Sequence, residues 1–339
     1  MAEKNLDFDT VIDRTHTNSL KYDFAVQRGK PMDVLPLWVA DMDFQVSSYI
    51  QEALSGSVAH GIFGYSEAEG SYFEAVAGWM SRHYGWNVEE TWLVKTPGIV
   101  FALAQAVRAF TEPGDAVLLQ QPVYYPFSQV IRDNGRKIVD NTLVQGEDGR
   151  YRIDFADFEE KIRSCKVKLF FLCNPHNPVG RVWTREELLR LGDICEKYGV
   201  IVVSDEIHAD FVFEGSHQVL VGLKESYRKF VVTCTAPSKT FNLAGLQVSN
   251  IFIPDDALRR KFEQAVAASG YSQLNTMGLV ACEAAYRYGE EWYDAVKAYI
   301  RENLAYAQHF LEEQIPQVKT VKPEGTYLLW VDFRSLGLS

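Results

Sequence analysis

Leu169-Phe-Phe-Leu-Cys-Asn-Pro-His-Asn-Pro-Val-Gly180 opens on five apolar residues and breaks at once into a polar turn held by two prolines. A short apolar run bounded by turn residues reads as a strand buried on both faces. The pattern recurs twice. Val200-Ile-Val-Val-Ser204 runs into Asp205-Glu-Ile-His208, and Phe230-Val-Val-Thr-Cys234 runs into Thr235-Ala-Pro-Ser-Lys239. Val117–Leu119 and Val248–Ile253 read as further strands. Between strands lie helical patterns such as 184–198, where Thr184 can cap, Glu187 completes a capping box three residues on, and Gly199 follows as a C-terminal stop. This alternation predicts an α/β fold whose mainly parallel sheet is flanked by helices on both faces. In such sheets ligands bind beyond the carboxyl ends of the strands, so three polar clusters at three strand ends point to one site.

The chain as a whole fits an ordinary enzyme-sized protein. Its 339 residues allow one large domain and a smaller one, and 47% hydrophobic against 23% charged residues is a globular balance. A net charge of −11 argues against nucleic-acid or anionic-membrane partners, though a local pocket for a small phosphate stays open. The charged stretch from Met1 to Asp13 lacks a secretion signal's apolar core, and no run reaches the about 18 apolar residues of a membrane span. Five scattered cysteines without a CxxC pair read as buried free thiols of a cytoplasmic protein, and no metal site is expected. Residues 1–45 read as an arm and part of a small domain, 46–289 as the large domain, and 290–339 as the rest of the small domain, incomplete at its end. That last part holds a helix, Glu290–Gln314, and a strand, Thr326–Asp332.

Taken singly, each candidate residue has a plain reading. A lone lysine is usually a solvated charge. Lys239, however, follows a buried strand among Ser238, Thr240 and Asn242, with Gly245 allowing a close turn; a desolvated amine there favours forms of reduced charge, such as an imine. Asp205 reads equally as a helix cap, a buried ion pair, or a partner for a protonated pyridine nitrogen, which it would keep electron-accepting. The 174–180 turn, stiffened by its prolines and by Gly180, can present the Asn177 amide to a ring hydroxyl.

In order and spacing these segments resemble the fold-type-I pyridoxal-phosphate (PLP) enzymes, the aspartate aminotransferase superfamily, over nearly the whole chain from Leu35 to Arg334. Leu35-Pro-Leu-Trp-Val-Ala-Asp-Met-Asp-Phe44, Ser204-Asp-Glu-Ile-His-Ala-Asp210 and Ser238-Lys-Thr-Phe-Asn242 look like its MalY/PatB branch of cystathionine and cysteine-S-conjugate β-lyases. The resemblance implies a large domain with a seven-stranded sheet, PLP as cofactor, a Schiff base on Lys239, Asp205 on the pyridine nitrogen, Asn177 on the ring oxygen and the ring of Tyr124 stacked on the cofactor; Tyr125 reads as a core aromatic. Phosphate binding falls to Gly98, Ile99 and Val100, which open the helical run Phe101–Phe110, with a hydroxyl from Ser238 or Thr235. Tyr65 matches a tyrosine that reaches the neighbouring subunit's phosphate, which implies a homodimer. Trp38, Val39 and Ala40 would line the substrate side.

Three positions depart from the superfamily pattern. Gln247 stands where many members carry a phosphate-binding arginine. His208 stands where many carry a tyrosine; it reads as a cofactor ligand or as a structural histidine. The arginine that clamps the substrate carboxylate in relatives lies beyond the position of Ser339, and Arg334 is not assigned that role; a truncated chain or a differently built carboxylate site is expected. The branch favours β-elimination from an amino-acid substrate to give thiol, pyruvate and ammonia. Transamination uses the same first proton abstraction, and a catalytically impaired regulatory protein is the reading outside enzymes.

Overall fold

The structure, a computed structural model, describes residues 3–337. In chain order its strands are β1 (Leu93–Thr96), β2 (Ala116–Leu119), β3 (Lys137–Asp140), β4 (Val144–Gln145), β5 (Tyr151–Arg152), β6 (Leu169–Cys173), β7 (Ile201–Asp205), β8 (Val231–Thr235), β9 (Ser249–Phe252), β10 (Lys319–Val321) and β11 (Trp330–Asp332). Seven of them form one sheet in the order β1-β9-β8-β7-β6-β2-β3. Five neighbours, β3, β2, β6, β7 and β8, run parallel; β9 alone is antiparallel to its neighbours β8 and β1.

The helices are α1 (Ser48–His60), α2 (Gly70–Tyr84), α3 (Ile99–Phe110), α4 (Pro126–Asp133), α5 (Phe155–Cys165), α6 (Arg185–Tyr198), the single turn α7 (Pro237–Thr240), α8 (Asp256–Ala268), α9 (Thr276–Tyr288) and α10 (Glu290–Gln314). Continuous apolar strands need cover on both faces, and side-chain alternation shows that they have it. Phe170 and Leu172 of β6 enter the core shared with α2, α5, α6 and α9, whereas Leu169, Phe171 and Cys173 enter the core shared with α3, α4 and α8. The chain ends meet on the first side: Phe8 packs edge-on against Phe44 and Trp292 of α10. No helix among the described residues is long and apolar enough to cross a membrane.

Local signals place the helix ends. Thr184 and Glu187 form a complete capping box, and Gly199 ends α6 at φ 67°. Three sequence expectations change. Thr326 adopts φ 64° and donates its N–H to Phe211 O, which bends the chain and confines the strand expected at Thr326–Asp332 to Trp330–Asp332. Cys165 ends α5 in solvent, whereas the other four thiols are buried. Tyr125 is 73% exposed and no core residue, because it starts α4 at the rim of the sheet.

One buried ion cluster locks the 174–180 turn to the C-terminal segment. Arg181, 2% exposed, binds Glu187 at 2.9 Å and Glu324 at 3.0 Å and donates to Tyr151 O. Removing one member of a buried charge network strands the others. Arg181→Ala is expected to lower unfolding free energy by about 3 kcal/mol, read from urea denaturation midpoints; a loss below about 1 kcal/mol, the range of a surface pair, would place the cluster outside the stabilising core.

Candidate active site

Adjacent parallel strands deliver their carboxyl ends to one edge, and β6, β7 and β8 are adjacent. The three polar clusters therefore converge. Asp205 is the last residue of β7, paired in register with Cys173 of β6 and Cys234 of β8. It is 5% exposed, and its Oδ1 accepts the Ile207 N–H at 3.2 Å. Burial pushes its carboxyl up to about 7, with that hydrogen bond and the charge of Lys239 pulling the other way.

Past the end of β8, Ala236 is extended and Pro237 starts the single turn α7 that carries Lys239. The Lys239 ammonium donates to Ala40 O at 2.6 Å. Burial lowers its pKa, against the opposing charges of Asp41 and Asp205. Past β6, the Asn177 N–H donates to Cys173 Sγ at 3.3 Å and the Tyr124 N–H donates to Asn177 O at 3.1 Å, so the turn and the aromatic are tied together. Tyr124 and Asn177 line one open cavity of about 600 Å³ with Gln121 and Trp330. The Tyr124 hydroxyl is raised to about 12 by burial, with smaller contributions from Tyr125, Asp205 and Cys173. His208 is buried, its Nδ1 has no partner among the described residues, and burial followed by the Lys239 charge lowers its pKa to about 3. The imidazole is therefore neutral.

The start of α3 lies on the same edge, because Thr96 of β1 pairs with Ser249 of β9 and Asn250 pairs with Thr235 of β8. Gly98 caps α3 at φ 120°, a conformation open to glycine. Its own N–H is already engaged by Ser249 Oγ at 3.1 Å, so of the three residues expected to bind phosphate only Ile99 and Val100 keep amides outside the hydrogen-bond ladder at the start of this twelve-residue helix. Thr235, expected as a phosphate donor, instead donates its hydroxyl to Asn250 O at 3.2 Å. Ser238 Oγ has no hydrogen bond among the described residues and is the free hydroxyl of the two.

Several contributors were not assigned roles from sequence. Asn242 takes the Met42 N–H on Oδ1 at 2.9 Å and donates Nδ2 to Met42 O at 2.9 Å and Phe44 O at 3.2 Å. This clamp holds the 38–44 segment over the lysine. Arg14 and Lys21 fix the same segment through Asp41 and Asp43. Tyr327 OH donates to Ala40 O at 2.9 Å beside His208. The signal for Asn242 was its place three residues after the lysine; nothing local marked the others.

Of the Trp38–Ala40 stretch, Ala40 reaches Lys239 by its carbonyl, Trp38 is half-buried, and Val39 is exposed at φ 64°. Tyr65 is 97% exposed, beside Pro97 and Gln247, and not in the cluster around Lys239. Arg334 pairs with Asp332 on the surface.

The aminotransferase class I and II family matches residues 33–337. The chain is 47% identical to cystathionine beta-lyase PatB of Bacillus subtilis (strain 168), over 98% of its own length and 86% of that protein's. Among solved structures it is similar to a PLP-bound putative aminotransferase from Clostridium difficile 630 (TM-score 0.95, 40% identity, 98% and 86% of the two chains). It is also similar to cystalysin from Treponema denticola, which contains a pyridoxal 5'-phosphate cofactor (TM-score 0.94, 37% identity, 98% and 85%). The chain belongs to the aminotransferase class I and II family.

Proposed function

We propose that this protein is a PLP-dependent carbon–sulfur lyase that cleaves cystathionine or a cysteine S-conjugate by β-elimination. The observation that carries the reading is the burial of Asp205 and Lys239 at one sheet edge without a direct ion pair between them, with the free amides of α3 on the same edge. The residues fit the cofactor. A buried carboxyl held at about 7 lacks a close cation and suits a pyridine nitrogen, an amine of lowered pKa suits an aldehyde, and two free amides at a helix start suit a phosphate without the arginine that Gln247 replaces.

PLP, when bound, supplies an electron sink for the pair released at the substrate Cα. The protein does the rest. Asp205 would hold a proton on the ring nitrogen, Asn177 and the neutral His208 would supply neutral hydrogen-bond donors to the ring, and Tyr124 would offer its ring as a stacking face. Lys239 Nζ, an amine of lowered pKa, would take the Cα proton. The thiolate leaves from Cβ, and the 2-aminoacrylate released hydrolyses to pyruvate and ammonia. The buried thiols accord with a cytoplasmic location. The division at residues 45 and 289 is supported by Phe8 and Phe44 packing on α10.

The active unit we propose is a homodimer in which Tyr65 completes the partner's phosphate site. Its support is a tyrosine 97% exposed beside the exposed Ile62 and Phe63.

Incubation with L-cystathionine should yield pyruvate and thiol in equal amounts. Lys239→Ala should lower turnover by about a thousandfold or more and remove the pH-sensitive visible band of the bound cofactor. Keto-acid-dependent turnover with no thiol would assign the chain to transamination instead.

A second expectation concerns pH. Asp205 is raised in the folded state, so the stability from its protonated form is full below the unfolded value of about 3.9 and is lost as pH rises through about 7. In the cofactor-free protein Asp205→Asn should therefore raise the melting temperature at pH 8 and lose that advantage near pH 4, about the unfolded value. An equal effect at both would remove the carboxyl's burial as the cause.

A third separates the subunits. Mixing inactive Lys239→Ala with a Tyr65→Ala variant in equal amounts should restore the mixture to about a quarter of wild-type activity or less, since about half of the dimers are mixed and each holds one intact site; no recovery on subunit exchange would confine Tyr65 to its own chain.

A further inference from the structure

We propose that Asp210 is a positioning residue for Lys239 and acts through Thr240. Asp210 lies five residues after Asp205, at the far end of the loop that leaves β7. Its buried carboxylate receives three neutral donors. Trp79 Nε1 at 2.9 Å and the Tyr84 hydroxyl, both from α2, bind Oδ1, and the Thr240 hydroxyl binds Oδ2. Tyr293 of α10 donates to Asp210 O at 2.6 Å. Among the described residues no Lys, Arg or His reaches ion-pair distance of this carboxylate.

An apolar residue would fill the same space at lower desolvation cost, so directed acceptance is what the carboxylate adds. What it directs is α7. Four residues make one turn, too short to hold its shape alone. Thr240, fully buried, neighbours Lys239 in that turn. The Asn242 clamp ties the other side of the loop to Met42 and Phe44. With Thr240 and Asn242 both held just after it, and β8 leading in from the other side, the long lysine stem delivers Nζ to Ala40 O, with Asp41 and Asp205 as the charges that act on it. Releasing the Thr240 end lets Nζ move relative to both carboxylates and to the Cα proton it removes.

The inference rests on the reading that Lys239 holds the cofactor. That reading fails separately, if the visible band of the wild-type holoenzyme survives Lys239→Ala. The test compares cofactor-loaded wild type, Thr240→Val, Thr240→Ser and Asp210→Asn. Thr240→Val removes the hydroxyl at nearly constant volume and leaves Asp210 two donors. For Thr240→Val and Asp210→Asn we expect the pH midpoint of the visible band to shift by more than about half a unit. We also expect kcat per bound cofactor to fall about tenfold with KM changed less than about twofold. Thr240→Ser restores both. A merely structural Asp210 would lower the melting temperature while leaving the midpoint and kcat at wild-type values, and that result overturns the proposal. So does Thr240→Ser behaving like Thr240→Val, since the hydroxyl would then not be the link.

Discussion

The site depends on holding an amine and a carboxyl out of water close enough to feel each other, without letting them neutralise each other by contact. Lys239 donates to a backbone carbonyl, Ala40 O, rather than to Asp205. A direct ion pair would lock the amine as ammonium and take the carboxylate from the ring nitrogen it suits. A neutral acceptor lets burial dominate instead, lowering the lysine and raising the aspartate. The lysine shift moves toward the free amine the proposed chemistry uses, and a carboxyl so raised is a stronger base toward a ring nitrogen's proton.

Backbone placement makes this arrangement hold. Parallel strands fix where β6, β7 and β8 end, and the single antiparallel strand β9 returns Ser249 to the same edge. Ser249 engages Gly98 and Thr96, so the start of α3 is anchored to the sheet through side chains as well as by packing. The 38–44 segment has no regular structure and depends on Asn242 and on the Arg14–Asp41–Asp43–Lys21 charges for its position. Loops that carry chemistry are thus tied to rigid elements at each end.

Local chemistry was legible in the sequence; pairing across the chain was not. Apolar runs announced β6, β7 and β8, the 184–187 box and Gly199 announced both ends of α6, and strand-end clustering announced the neighbourhood of Lys239, Asp205 and Asn177. The donors consumed elsewhere were invisible. Thr235 donates its hydroxyl to Asn250 O and Gly98 its N–H to Ser249 Oγ, partners set by the antiparallel return of β9. Asn242 acts on residues about two hundred positions earlier, and no period or spacing encodes that. Exposure misled in the same way: Tyr125 and Cys165 sit at element ends, where the path of the chain, not residue type, decides burial.

His208 shows how one departure from the superfamily pattern fits the electrostatics. The pocket proposed here already gathers a lysine and a cationic ring over one carboxylate. A tyrosine adds no positive charge at that position, and a histidine could. Burial and the Lys239 charge together keep the imidazole neutral at about 3, far below working pH. A neutral ring still carries one N–H, enough to face an oxygen, and its Nδ1 has no competing partner among the described residues. The substitution therefore preserves a neutral donor while Asp205 keeps a single cation to serve, and the same low dielectric that raises Asp205 prevents a second cation from forming beside it.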